Sequence, residues 1–215
     1  MAEKLKFYFK QIAGIREPKE VDEDVDARIL GNFLHKVMER FYRDISAKKK
    51  SKQVEQGDFE GSEATVNKLI DEMFIENFRL NPDEKVDYEG QRLIVREIVK
   101  RFATKILQQD KARAPFVMEA VEAQGLLYNL KIDHAPGYVV IGGMIDRIDR
   151  KENELRIIDY KTGRDKLEFE SLDSLFERNL NRNKAAFQTF LYALLYKANN
   201  PTLGMTVLPG LINRD

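Results

Sequence analysis

The sequence GGMIDRIDRKENELRIIDYKTG, residues 142–163, contains two apolar segments separated by the polar turn Lys151-Glu152-Asn153. The apolar residues of both segments, with glycines before them and a polar turn between them, predict two β-strands joined as a hairpin. In a hairpin with an even-numbered loop, the numbers of paired residues add up to an odd total. Asp146 and Asp159 are therefore expected on one face of the sheet, opposite or diagonal to each other, unless an odd loop or a bulge shifts the register.

Lys161 adds a positive charge to the same predicted face, because it lies two residues after Asp159. Two carboxylates among aliphatic side chains repel each other and resist burial, and a divalent cation between them removes both penalties. A cation next to an ammonium group is suited to phosphodiester hydrolysis. An isolated D-x-K pattern is more often a structural ion pair. Arg147 and Asp149 are expected on the opposite face, in surface or packing ion pairs.

A helix is predicted from about residue 27 to residue 46, because apolar residues recur there at helical spacing. Gly31, His35 and Glu39 are four residues apart and lie along one stripe of this helix. A neutral imidazole is a good metal ligand, and Glu39 is placed to orient the ring of His35. The alternative is an ordinary packed or solvent-facing histidine.

Gln188 and Tyr192 are one turn apart on another predicted helix, residues 172–198. Their amide and hydroxyl groups suit hydrogen bonds to phosphate or to a catalytic group. The alternative is a core helix that carries two amphipathic residues at its edge.

The remaining segments predict an α/β fold. Helices are expected from Ser62 to about residue 81 and over residues 88–109, with an exposed loop at 48–61. Strands are expected within 116–149 and 205–212. We expect residues 1–215 to form one domain, with a helical region at about 26–110 and an α/β core at about 115–215.

Composition restricts the metal chemistry that this chain can support. Among 215 residues, 43% are hydrophobic and 33% are charged, which is typical of a globular protein. The absence of cysteine excludes disulfides, zinc–thiolate sites and iron–sulfur clusters and fits a cytoplasmic protein. With His35 and His134 as the two imidazoles, a metal site must be oxygen-rich, which favours Mg²⁺ or Mn²⁺. The formal net charge of zero counts mildly against nucleic-acid binding, and no apolar run reaches membrane-spanning length.

Four motifs in this order resemble the RecB/AddB-type branch of the PD-(D/E)XK nuclease superfamily. They are G-x-x-x-H-x-x-x-E at 31–39, G-x-I-D-R-I-D at 143–149, I-D-Y-K-T-G at 158–163 and Q-x-x-x-Y at 188–192. The segment from Phe7-Tyr8-Phe9-Lys10 to Glu17 also looks like the one that precedes the histidine helix in that family. Each motif alone is weakly specific, but four in the right order and spacing form a strong signal.

The resemblance implies a restriction-endonuclease-like mixed sheet flanked by helices, and it implies roles for individual residues. His35, Asp146, Asp159 and the backbone carbonyl of Tyr160 would hold Mg²⁺ or Mn²⁺, and Lys161 would be the catalytic lysine. Gln188 and Tyr192 would position DNA and support the lysine. Glu122 matches the family's additional acidic residue, with Glu119 as a competing assignment. Many relatives carry four cysteines for an iron–sulfur cluster, and this chain has none.

The resemblance further implies a DNA nuclease, an exonuclease in repair or recombination, within a larger helicase-type protein or with a helicase partner. Two other functions stay open at this point. The chain could be a nuclease-fold DNA-binding module whose catalysis is weak or lost, or a metal-dependent phosphohydrolase that acts on small molecules. Polarity of cleavage is not predicted.

Overall fold

The computed structural model describes residues 27–49, 51–83, 86–132, 137–163, 165–178 and 182–213. The segment around Phe7-Tyr8-Phe9 and the second histidine, His134, lie outside these ranges, so the structure does not test the expectations for them. The helices in the described ranges are α1 (Ala27–Lys48), α2 (Ser62–Phe78), α3 (Gln91–Arg113) and α4 (Lys184–Asn199). The strands are β1 (Gln53–Val54), β2 (Phe116–Lys131), β3 (Tyr138–Lys151), β4 (Glu154–Tyr160) and β5 (Thr206–Ile212).

The five strands form one mixed sheet in the order β1-β2-β3-β4-β5. Neighbouring strands from β1 to β4 are antiparallel, whereas β4 and β5 are parallel. The parallel pair is possible because α4 lies between β4 and β5 in the chain and returns it to the same end of the sheet. The predicted α/β class with a mixed central sheet is confirmed. Within the described ranges, no helix combines the length and the apolar character needed to cross a bilayer.

The β3–β4 hairpin has the register that the sequence predicted. Arg147 pairs with Ile158, and the pairing continues to Lys151 and Glu154, which leaves the two-residue loop Glu152-Asn153. Glu152 adopts a left-handed backbone conformation (φ 53°), as tight hairpin turns require. The loop is even-numbered, so Asp146 and Asp159 extend from neighbouring strands on one face.

Apolar side chains cover both faces of the sheet. On one face, Ile158 and Tyr160 of β4 join the core formed by α1, α2 and α3. On the other face, Ile148 and Ile157 pack in a second core with α4. The predicted apolar stripe of α1 is buried in the first of these cores. At the end of β4 the Tyr160 carbonyl contacts His35 of α1, and the next residue, Lys161, contacts Gln188 of α4, so residues of both helices reach the carboxylate pair.

Two predicted boundaries were wrong. The helix expected over 172–198 is a short 3₁₀ turn at Asp173–Phe176 followed by α4, which begins only at Lys184. Asn183 explains this start, because its side chain accepts a hydrogen bond from the N–H of Ala186 and donates to the carbonyls of Lys166 and Glu168. The loop expected at 48–61 contains β1 and a 3₁₀ turn, Gln56–Phe59.

Candidate metal and active site

Three carboxylates form a row across β2, β3 and β4. Val121 pairs with Arg147 and Ala123 with Ile145, so Glu122 lies across from Asp146. Asp159 follows the last ladder pair on the other side of Asp146. Asp146 and Asp159 are buried, and the side chain of Glu122 is 10% exposed. Such a row is electrostatically unfavourable unless cations compensate it.

Asp146 lies at the centre of this row. One of its oxygens accepts a hydrogen bond from the backbone N–H of Tyr160 at 2.7 Å. The other oxygen is 3.4 Å from Nδ1 of His35. The carboxylate therefore connects the end of β4 to the imidazole on α1.

His35 enters the site from α1. Its Nε2 lies 3.0 Å from the carbonyl oxygen of Tyr160. Nδ1 faces Asp146 and Glu122, the latter at 3.9 Å. Burial lowers the pKa of His35, but Asp146, Tyr160 and Glu122 favour the cation and leave the pKa above its ordinary value. Nδ1 and the two carboxylates converge on one place, which attracts a proton or a metal cation.

Glu122 reaches the site from an irregular part of β2. Its backbone is left-handed (φ 50°), which is costly for a residue with a side chain inside a strand. Burial raises the pKa of the Glu122 carboxyl, and repulsion from Asp146 raises it further. Glu119, the competing candidate, instead pairs with Nε of Arg150 at 2.6 Å.

Asp159 and Lys161 form an ion pair at one side of the site. Lys161 Nζ lies 2.8 Å from a buried oxygen of Asp159 and donates to Oε1 of Gln188 at 3.0 Å. Burial raises the pKa of Asp159, as does repulsion from Asp146, and Lys161 opposes this rise. Nε2 of Gln188 donates to the hydroxyl of Tyr192 at 2.6 Å. The predicted helical pair is thus linked to the lysine in a single chain of hydrogen bonds.

A possible metal-binding cluster lies among the described residues. One ligand atom each from His35, Glu122 and Asp146 fall within 4.8 Å of one another. These side chains come from α1, β2 and β3, so the fold assembles them from distant parts of the sequence.

The sequence model of the PD-(D/E)XK nuclease superfamily matches residues 4–210, which is nearly the whole chain. The chain belongs to the PD-(D/E)XK nuclease superfamily. It is also 29% identical over 201 residues to an ATP-dependent helicase/deoxyribonuclease subunit of Clostridium perfringens (strain SM101 / Type A). That match covers 85% of this chain and 16% of the relative, so the chain spans about a sixth of the relative's length.

Glu39 has different neighbours in this superfamily member from those the helical spacing suggested. Its carboxylate lies 2.7 Å from Lys36 Nζ and 2.8 Å from Nη2 of Arg43, both on α1. The ring nitrogens of His35 instead face Tyr160, Asp146 and Glu122. The reason is that Lys36 and Arg43 lie within one turn of Glu39 and neutralise it there.

The sequence did not reveal a buried charge network behind the site of this superfamily member. Arg147 has no exposed surface. Its guanidinium donates to Asp110 of α3 at 3.0 Å, to the hydroxyl of Tyr42 of α1 at 3.1 Å and to the hydroxyl of Tyr160 at 3.3 Å. Asp149 is equally buried and lies 2.7 Å from Arg147. The expected opposite face is correct, and of the two expected kinds of ion pair the structure shows the one that packs inside the protein.

Proposed function

We propose that this chain is a metal-dependent deoxyribonuclease that uses Mg²⁺ or Mn²⁺ to hydrolyse phosphodiester bonds. One observation carries the proposal: His35, Glu122 and Asp146 offer ligand atoms within 4.8 Å of one another. Lys161 stands beside them, 2.8 Å from Asp159. The sequence model of the nuclease superfamily, which matches residues 4–210, supports the same function.

The donor set fits a hard divalent cation. It consists of one imidazole and several carboxylate oxygens, and the chain has no cysteine that would favour a softer metal. Burial and, after it, repulsion from Asp146 raise the pKa values of Glu122 and Asp159, and a bound cation would oppose both effects. The proposed ligands are His35, Asp146, Asp159 and the carbonyl of Tyr160, with Glu122 as a further oxygen donor.

The chemistry is divided between the cation and the protein side chains. A bound divalent cation polarises a phosphoryl oxygen and lowers the pKa of a bound water. Lys161 offers an ammonium group to the negative charge that develops on the phosphate, and Asp159 and Gln188 hold that group in place. Gln188 and Tyr192 lie on the same side of the site as Lys161, and we propose that they position the DNA strand there.

The biological setting is a further part of the proposal. The curated relative is named as a helicase/deoxyribonuclease subunit. We place this chain, as one nuclease domain over residues 1–215, in DNA repair or recombination in the cytoplasm, acting as an exonuclease beside a helicase domain or subunit. A longer protein containing this chain would bring the two activities together.

Incubation of end-labelled linear DNA and closed circular DNA with Mg²⁺, Mn²⁺ or EDTA tests the function. Metal-dependent loss of label from linear DNA, with circular DNA intact, supports an exonuclease. Asp159→Ala and Lys161→Ala should each abolish cleavage while the circular dichroism spectrum stays unchanged. Cleavage at the wild-type rate by Lys161→Ala would contradict the mechanism.

The same preparation distinguishes the other two functions. DNA binding without cleavage, and no Mn²⁺-dependent rise in Tm, would indicate a binding module. Hydrolysis of a nucleoside monophosphate that duplex and single-stranded DNA do not inhibit would indicate a small-molecule phosphohydrolase. A Tm rise with Mn²⁺ that disappears in Asp159→Ala supports the proposed cation site.

A further inference from the structure

We infer that Gly143 is a positioning residue for Lys161, which it controls through Tyr192 and Gln188. The inference rests on the proposed nuclease function, because it concerns how the lysine of that site is held. Gly143 belongs to β3, three residues before Asp146, and has no side chain with which to hold the lysine that we infer it positions. Its effect must therefore pass through the side chains between them.

The lysine depends on the orientation of one amide. Lys161 Nζ donates to Oε1 of Gln188 at 3.0 Å, so the oxygen of this amide must face the ammonium group. The hydroxyl of Tyr192 accepts from Nε2 of the same amide at 2.6 Å. This second bond holds the NH₂ group away from Lys161, and loss of it would free the amide to rotate. The phenol of Tyr192 thus fixes which end of Gln188 meets the lysine.

The ring of Tyr192 occupies the space above Gly143. A Cβ atom at residue 143 would lie 2.5 Å from Cε1 of Tyr192 and 3.3 Å from two more ring atoms. The ring cannot easily yield, because Tyr192 is 9% exposed and packs in the core between α4 and the sheet. The φ angle of Gly143 is not in the left-handed region, so the glycine serves to make room for the ring.

Gly142 provides a matched control on the same strand. A Cβ atom there would meet the side-chain end of Leu127 at 2.6 Å and the carbonyl of Leu126 at 3.2 Å. Leu127 is 58% exposed and can turn away. Both substitutions add one methyl group to β3, but only the one at residue 143 displaces the phenol.

The test compares Gly143→Ala with Gly142→Ala by kcat, KM and the Mn²⁺ concentration for half-maximal activity. Gly143→Ala should lower kcat by roughly 10- to 100-fold, the range expected when a reacting group is misplaced by up to an ångström. The Mn²⁺ midpoint should stay within about twofold, because no proposed ligand is touched. Gly142→Ala should keep kcat within about twofold. Wild-type kcat in Gly143→Ala would overturn the inference.

The same substitution in a Tyr192→Leu protein distinguishes an effect on the position of Lys161 from a general loss of stability. In Tyr192→Leu the ring is gone and the lysine has already lost its support, so adding Gly143→Ala should change kcat less than about twofold. This double variant also stays informative if Gly143→Ala alone does not fold. An equal loss of kcat in both backgrounds would show that Gly143 acts by another route.

Crystal structures of both glycine variants keep the inference testable if the nuclease function itself fails. A wild-type protein that cleaves no DNA contradicts the proposed function. The inference still requires that Gly143→Ala break the Tyr192–Gln188 hydrogen bond and that Gly142→Ala keep it. An unchanged Lys161–Gln188 contact in Gly143→Ala would overturn the inference alone.

Discussion

Asp146 accepts a hydrogen bond from the backbone N–H of Tyr160 at 2.7 Å. This bond gives Asp146 a structural role that its partner Asp159 does not share. A buried oxygen of Asp159 lies near Lys161, but no well-aligned hydrogen bond reaches it from the described part of the chain. Charge repulsion alone predicts that removal of either carboxylate stabilises the metal-free protein. The hydrogen bond of Asp146 predicts different outcomes for the two.

We expect Asp146→Ala to destabilise the metal-free protein by about 1–3 kcal/mol, because a buried N–H loses its acceptor. Asp159→Ala should leave the free energy of unfolding unchanged or higher, since burial and Asp146 already disfavour its ionised form. Urea unfolding in EDTA measures both. Equal stabilisation by the two substitutions would show that the Tyr160 hydrogen bond contributes little. Both variants should lack metal-dependent cleavage.

Glu122→Gln should weaken Mn²⁺ binding and cleavage, because the side chain faces His35 and Asp146. We expect at least about a tenfold rise in the Mn²⁺ concentration needed for half-maximal activity, in line with the loss of a residue that supports a metal site. Glu119→Gln is the control, because Glu119 pairs with Arg150 outside the cluster. Equal effects in a metal titration would mean that the contacts of Glu122 do not matter for the metal.

The sequence predicted the hairpin face because strand alternation is a local property. An even-numbered loop is enough to bring Asp146, Asp159 and Lys161 to one face of the sheet. The two-residue turn Glu152-Asn153 is such a loop. The choice between Glu119 and Glu122 was not predictable in this way. Register shifts in β2, with a left-handed residue at Glu122, decide which carboxylate turns inward.

Side-chain contacts that the apolar pattern does not record explain the other differences. The start of α4 depends on bonds from Asn183 to a loop some 15 residues earlier, which helical periodicity does not record. The four-residue spacing predicted that Glu39 would orient His35. Its carboxylate instead pairs with Lys36 and Arg43 on the same helix. The burial of Arg147 depends on Tyr42 and Asp110, which lie on two separate helices.

Arg147→Met should destabilise the protein by about 3–5 kcal/mol, because it leaves Asp110 buried without its main cation. The matched control is Arg150→Met, three residues along the same strand. Arg150 is partly exposed and pairs with Glu119, so its loss should cost less than about 1 kcal/mol. Chemical denaturation in EDTA measures both changes. Similar losses of stability in the two variants would mean that the buried guanidinium of Arg147 contributes no more than the partly exposed one of Arg150.

The acid stability of the protein should depend in part on Asp149. Burial raises the pKa of this carboxyl, but the charge of Arg147 and the hydrogen bonds and charge of Arg156 hold it below its ordinary value. A depressed folded-state pKa stabilises the protein above the unfolded-state value of about 3.9, and this contribution is lost as the pH falls through the folded-state value. The stability difference between wild type and Asp149→Asn should therefore stay constant from about pH 7 to pH 5 and shrink below about pH 4.

Urea unfolding at each pH measures this difference, and the comparison cancels the carboxylates that the two proteins share. The isosteric change keeps the volume of the side chain, so packing contributes equally at every pH. A difference that grows on acidification would mean that the folded-state pKa of Asp149 is raised and that its burial outweighs Arg147 and Arg156. A difference that vanishes already near pH 6 would assign the effect to another group, because an unfolded aspartate is fully ionised there.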